Sequence, residues 1–333
     1  MNKRFLFPIS LSLLTLFSFN ILMVNSLAPK LVAKQTLSWL IGIILFFIGK
    51  QINIRQIARF KYIILFLSCF LLLIPILQKN ITRGSRRWIH LGTTNIQIQP
   101  SEIIKPWLMI ILANTQQYLY IILPALIILL QPDLGGTFST LSIIIPFMLY
   151  DKRLGKILIL LLIVSLLCSP LIWKFVLHDY QKDRITFFLN PNKDPKGRGY
   201  NLIQSKIAIG SGGIFGKGYK KGTQGQLLFL PEKHTDFIFA AIAEEIGLLA
   251  ITILIATYYI LIHTLINKAF SSKENSCFLF TLSLASQIWL QTFINIGMNL
   301  GILPVTGIPL PFVSVGGSSI ISLLFSLGLV FSS

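Results

Sequence analysis

Long apolar runs set the limits on what this chain can become. Phe5 to Val24 carries no charge over ~20 residues, enough for a helix to cross a ~30 Å hydrocarbon layer. Leu31 to Gly49, Tyr62 to Leu77, Leu134 to Tyr150, Ile157 to Leu177, Gly247 to Ile266, Cys277 to Ile296 and Phe312 to Phe331 repeat the pattern. Composition agrees: 54% of the 333 residues are apolar or aromatic and only 12% are charged, against roughly 25% in a soluble domain. So little polar surface could not cover so much apolar surface in water. The chain is therefore expected to be an all-α polytopic membrane protein. Lys3 and Arg4 before the first run resemble a signal peptide, but no small-residue cleavage site follows and further spans come at once, so that run reads as a retained anchor helix.

Ser101 to Gln131 is too long for one crossing, at about 45 Å for 1.5 Å per residue. As a single helix it would also bury Asn114, Thr115, Gln116 and Gln117 near the bilayer centre. Two short helices meeting at that polar quartet are expected, at least one of them shielded by protein, and the total becomes about ten spans. With the N-terminus inside, the basic loops at Lys50 to Lys61 and Lys152 to Lys156 are cytoplasmic, as positive charge prefers. The same count places Gln78 to Pro100 and the long loop 179–235, between helices 7 and 8, on the extracytoplasmic side. Charge bias alone mildly prefers the long loop inside, since it holds ten Lys or Arg. Length and polarity outweigh that bias here, and basic segments kept outside against it suggest binding of an anion. The net charge of +18 points the same way, to phospholipid, nucleic acid or a phosphorylated substrate. The whole chain reads as one membrane domain, without internal repeats.

Four clusters could carry chemistry. In the first, Glu232, Lys233, His234 and Asp236 crowd where the long loop re-enters the membrane. Asp236 to Ile246 is expected as a separate interfacial or re-entrant helix, which keeps Glu244 and Glu245 out of the hydrocarbon centre. A carboxylate there can serve as general base, or the charges can simply anchor the interface. In the second, Glu102 and Lys105 lie three apart on one helix face and can pair inside the membrane, for packing or for a path. In the third, Asp133 follows Gln131-Pro132 and either caps a helix or orients a basic residue or metal ion. In the fourth, Gly210 to Gly218 matches no nucleotide loop, yet its N–H groups with Lys217, Lys220 and Lys221 could cradle a pyrophosphate, or form a plain turn region. Arg86, Arg87 and Trp88 are a weaker basic and aromatic cluster. His90, His178, His234 and His263 lack ligand spacing, and Cys69, Cys168 and Cys277 stand alone, so no metal site and no catalytic thiol is expected.

Several segments together resemble the SEDS family (shape, elongation, division and sporulation). They are Arg86 to Gly92, Gln99 to Lys105, Gln131 to Gly135, Gly199 to Gly210, Lys217 to Gln224, Phe229 to Gly247, Asn295 to Met298, Gly301 to Pro311 and Val313 to Ser318, in order along nearly the whole chain. Lys233 before His234, Gln204 to Gly212 and Ile302 to Pro309 are closer to RodA-type than to FtsW-type members. The resemblance implies ten spans with the long loop outside, and a peptidoglycan glycosyltransferase that polymerises lipid II in cell elongation and rod-shape maintenance. It places the family's essential carboxylate on Asp236, the cavity pair on Glu102 and Lys105, and other motif positions on Trp88, Asp133 and Lys206. The expected substrate contacts are then Arg87, Trp88, Glu102, Lys105, Asp133, Lys206, Lys217, Glu232, Lys233 and His234. They would hold lipid II and the undecaprenyl-pyrophosphate glycan, with or without a divalent cation. Implied partners are a class B penicillin-binding transpeptidase and the elongation machinery (MreB, MreC, MreD), not nucleic acid, in the bacterial cytoplasmic membrane. A lipid II flippase and a non-catalytic scaffold are the alternatives. The sequence departs from the family at the short connection Asn114 to Gln117, at Val315 in place of tyrosine, and at Arg86.

Overall fold

A computed structural model describes residues 3–78, 87–90, 97–168 and 198–332, with isolated positions between 171 and 190. Lys79, Arg83, Arg86, His178 and the turn after Asn190 lie outside the described residues. The described residues are mostly helical. Helix α1 (Lys3–Leu27) buries Phe5, Ile9, Ser12, Leu16, Asn20, Met23 and Leu27. Those positions step by three and four, so they form one stripe. The stripe packs on α14 (Leu248–Phe270), where Thr15 and Thr257 meet at 3.4 Å across the seam.

Helix α2 (Val32–Gln51) runs against α16 (Gly317–Val330). Glycines let the backbones close up: a Cβ on Gly49 would sit 2.9 Å from the Phe325 carbonyl, and one on Gly328 would strike the Phe46 backbone. Small residues at such crossings replace the hydrophobic drive that lipid cannot supply. A short α3 (Ile54–Ala58), capped by the Asn53 side chain, leads into α4 (Lys61–Gln78). Ile89–His90 and Gln97–Ile98 then pair as a two-stranded antiparallel ribbon.

The Ser101 to Gln131 stretch forms more than one helix. Short α5 (Pro100–Ile103) joins α6 (Lys105–Thr115), and the chain breaks at Gln116, in the left-handed region at φ 54, before α7 (Leu119–Leu130). Leu108 to Ala113 of α6 are buried, whereas α7 exposes Leu119, Leu123, Leu126 and Leu130; the first half is the one that protein shields. Pro106 has no N–H to offer the carbonyl of Glu102 four residues back. Ser322 of α16 donates to that carbonyl instead, at 2.7 Å.

Leu134 to Tyr150 bends through α8 (Leu134–Leu141), a 3-10 turn (Ser142–Ile144) and α9 (Ile145–Tyr150). Helix α10 (Lys152–Leu167) follows, and the rest of the run to Leu177 is described only at single positions. In the long loop, Tyr200 to Ile209 lies within the 15-residue α11 (Arg198–Gly212). After α12 (Thr223–Gln226) comes α13 (Ile238–Ile246), separated from α14 by Gly247 at φ 89, where a Cβ would strike Gly216. That separate helix is the one expected between Asp236 and Ile246. Helix α15 (Asn275–Leu300) completes the set before α16.

Five helical stretches among the described residues are long and apolar enough to cross a membrane: Arg4–Leu27, Pro29–Gln51, Lys61–Gln78, Leu248–Phe270 and Asn275–Leu300. Leu119–Leu130, Leu134–Tyr150 and Gly317–Val330 are apolar but shorter. The last run differs from expectation, because Phe312 to Gly316 is irregular and only then does α16 start. Carbonyls in it and just before it are satisfied from other helices: Asn20 Nδ2 donates to Val313 at 2.6 Å, Gln35 Nε2 to Ser314 at 3.3 Å and Tyr258 Oη to Pro311 at 2.5 Å. Irregular backbone is tolerated inside a membrane bundle when protein groups satisfy it in this way.

Candidate active site

The irregular 301–316 segment, α5, α8 and α15 converge on a cavity. Asp236, half-buried, is on its wall, with Arg87, Trp88, Glu102 and Asp133. Asp133 caps α8 by accepting from the Gly136 N–H at 2.9 Å. Its two oxygens also accept from Arg87 Nη1 at 3.0 Å and Gln99 Nε2 at 3.2 Å. Capping and orienting a basic residue, posed as alternatives by the sequence, are therefore both true of Asp133. Arg87 keeps a buried Nε with no hydrogen-bond partner.

The backbone around Asp236 is pinned from three sides. Asn295 and Asn299 of α15 each donate to the Asp236 carbonyl at 3.0 Å, and Asn295 also donates to Ile308 at 2.8 Å, across the cavity wall. Ser314 Oγ donates to the Thr235 carbonyl at 2.5 Å, and the Val315 N–H donates to the His234 carbonyl at 2.9 Å. A main-chain group makes that last bond, so valine in place of tyrosine leaves it intact. On the other side, the Glu232 carbonyl accepts from the N–H groups of Thr235 and Asp236, both at 3.1 Å, with Glu232 itself in the left-handed region at φ 50. Side chains held by such supports keep a fixed geometry, which general-base chemistry needs.

Deeper in, Lys105 is wholly buried. Its Nζ donates to Glu102 Oε1 at 2.5 Å and to Ser139 Oγ at 2.7 Å, and Gln291 Nε2 donates to the same hydroxyl at 2.6 Å. Glu102, Ser139 and Gln291 line the cavity; Lys105 stands behind them.

Other expected contacts lie away from this wall. Lys217 Nζ donates to Glu244 Oε1 at 2.7 Å and Thr223 Oγ1 at 2.8 Å. Lys233 is buried with its Nζ on the Gly225 carbonyl at 2.5 Å, and burial pushes its pKa down, with Glu245 partly restoring it. Lys206 lies over Gly301 at the end of α15. The Glu232 side chain accepts from Thr235 Oγ1 at 3.0 Å. His234 contributes its carbonyl to the support just described. Glu244 and Glu245, read from sequence as possible interfacial bases, are buried and clasp the loop. Burial alone would raise the Glu244 pKa, but the Gln224 N–H, Lys217, Thr223 and the Gly225 N–H hold it below the usual value.

Ser139, Gln291 and Asn299 are not singled out by the sequence, and Gln99 and Asn295 enter there only as the first residues of family segments, with no role of their own. A signal existed: Ser283, Gln287, Gln291, Asn295 and Asn299 recur every fourth residue in an apolar span, and all are buried. Such a stripe marks one face turned to polar surroundings.

The family model of the cell cycle proteins FtsW, RodA and SpoVE matches residues 4–332. The chain belongs to this family. Peptidoglycan glycosyltransferase MrdB of Escherichia coli (strain K12) is 42% identical to it over 284 residues, covering 80% of this chain and 76% of that one. Among solved structures, a chain of a peptidoglycan synthase complex, described for its coordination of polymerization and crosslinking, superposes with a TM-score of 0.81 at 30% identity, covering 97% of this chain and 95% of that chain. The rod shape determining protein RodA of Thermus thermophilus gives 0.69 at 26% identity, covering 97% and 94%. Both likenesses extend over nearly the whole chain, so the cavity lies within the matched fold, as a multi-pass membrane protein of this family.

Proposed function

We propose that this chain is a RodA-type peptidoglycan glycosyltransferase that polymerises lipid II during cell elongation. The observation that carries the proposal is a carboxylate, Asp236, whose backbone is fixed by α15, by the 301–316 segment and by its own turn at the wall of a polar cavity inside an apolar bundle. MrdB of Escherichia coli, named for this activity, supports it. In this reading the chain crosses the bacterial cytoplasmic membrane ten times, and loop 179–235 is extracytoplasmic.

The donor is a glycan on undecaprenyl pyrophosphate, and lipid II supplies the attacking hydroxyl. Attack opposite the leaving pyrophosphate inverts the anomeric carbon. The hydroxyl proton goes to Asp236, and the bond to the pyrophosphate oxygen breaks as the new glycosidic bond forms. Arg87, with a free Nε and its orientation set by Asp133, meets the negative charge that develops on the pyrophosphate. Trp88 beside it offers an apolar face to the sugar. A class B penicillin-binding transpeptidase is the proposed partner, in keeping with the synthase complex that the fold resembles; MreB, MreC and MreD complete the proposed machinery.

Purified protein with its transpeptidase, labelled lipid II and a glycan gel test this directly. Asp236→Asn should fold normally and lose polymer by at least ~100-fold, the scale of a missing general base. Near-normal polymer from that variant removes Asp236 from the role. Lipid II crossing liposomes without any glycan being formed would favour a flippase instead.

A further inference from the structure

The cavity is polarised in its hydrogen-bonding capacity, and that polarity distinguishes one end of a lipid-linked sugar from the other. We infer that its floor receives a neutral, donor-bearing part of the substrate, a sugar hydroxyl or an acetamido N–H, and that the pyrophosphate stays at the Arg87 side. This rests on the transferase reading and specifies how the substrate enters the site.

The deepest cation cannot serve the pyrophosphate. Lys105 has no exposed surface, and its charge is already matched by Glu102 at 2.5 Å. Ser139 Oγ accepts from Lys105 and from Gln291 Nε2, which fills both its lone pairs. At the floor, Glu102 Oε2 and Gln291 Oε1 then remain buried without a hydrogen-bond partner. Both are acceptors, on side chains only 3% and 1% exposed.

A buried acceptor left without a donor is costly, so an occupant that brings an N–H or O–H is stabilised there. A pyrophosphate brings only oxygens; it would set acceptor against acceptor beside a buried carboxylate, and such a mismatch excludes a ligand as effectively as a clash. At Arg87 the pattern reverses, since its Nε is an unpartnered donor. Acceptors at the floor and a donor at Arg87 match a sugar bearing hydroxyl and acetamido groups on one side and a pyrophosphate on the other.

The test compares two lipids that differ only at the sugar end. Purified protein in nanodiscs would bind lipid II and undecaprenyl pyrophosphate, each measured by displacement of a fluorescent lipid II. Gln291→Met keeps the volume and removes the amide oxygen. It should weaken lipid II binding about 10-fold, or ~1.4 kcal/mol, and raise KM by a similar factor with kcat changed less than about threefold. Undecaprenyl pyrophosphate binding should change less than about twofold. Equal losses for both lipids, or no loss for lipid II, overturn the inference. Should Gln291→Met fail to give a cooperative thermal transition, Gln291→Asn takes its place: it keeps the amide but withdraws it by one methylene, and the loss must again fall on lipid II alone. If the unsubstituted protein binds neither lipid, the transferase reading fails with the inference. If it polymerises normally and only the selective loss is missing, the inference alone fails.

Discussion

Lys217–Glu244 and Lys105–Glu102 are both lysine–carboxylate pairs with a buried acid, at 2.7 and 2.5 Å. Around Glu244 the oxygens are saturated by Lys217, Thr223 and the N–H groups of Gln224 and Gly225. The neighbouring Glu245 accepts from Ser26, Gln226 and the Lys220 N–H. Those bonds tie residues 217–226 to α13 and to the end of α1. Glu102 keeps one oxygen buried and unpartnered, facing a cavity. Buried polar atoms in native proteins are almost always satisfied, so an exception needs a reason. A saturated pair fixes a loop; an unsaturated one is kept open for a ligand.

The largest effect expected from breaking this contrast is at the floor. Glu102→Ala leaves the Lys105 ammonium buried and uncompensated, which should cost ~3–5 kcal/mol of stability. Glu102→Ala with Lys105→Ala should recover most of that loss while polymer synthesis stays abolished. Thermal unfolding in detergent and a glycan gel read both quantities. Recovery of activity together with stability would show that the pair is packing only.

Next in size is the clasp. Glu244→Ala strands two backbone N–H groups, at about 1–3 kcal/mol each, and should make residues 213–226 susceptible to limited proteolysis. Its pH dependence has a definite sign. Since the folded-state pKa of Glu244 is depressed, its contribution is complete above the ordinary value of 4.5 and is lost as pH falls through the lower, folded value. The stability gap between the parent and Glu244→Gln should therefore hold at pH 6 and shrink below pH ~4.5. A gap that grows on acidification contradicts the clasp. The smallest effect belongs to Ser322→Ala, which removes the donor to the carbonyl freed by Pro106 and should cost about 1 kcal/mol without changing KM.

Much of the architecture was legible in the residues because hydropathy is local. The apolar runs, the break at Gln116 within the polar quartet, and the separate helix before Gly247 all follow from length, polarity and a glycine. The irregular stretch from Phe312 to Gly316 was not legible. It is apolar enough to read as helix, and its carbonyls at Val313 and Ser314, with that of Pro311 just before it, are satisfied by Asn20, Gln35 and Tyr258, between 53 and 293 residues away. Within the candidate site, Arg87, Trp88, Glu102, Asp133 and Asp236 were named from sequence and the fold brings them to one cavity. Lys206, Lys217 and Lys233 were named with them, yet they lie off the wall. A lysine looks the same in a sequence whether it waits for a phosphate or already binds Glu244 or a carbonyl of its own loop.

The sequence by itself determined that this chain lives in a membrane, that its helices break at Gln116 and Gly247, and to which family its motifs belong, since each depends on neighbours along the chain. Only the tertiary structure decided which charges are spent and which are free. That distinction depends on partners such as Gln291 with Ser139 or Asn295 with Asp236, brought together across dozens of residues by packing. Hydrogen bonds act over about 3 Å of space, whatever the separation along the chain.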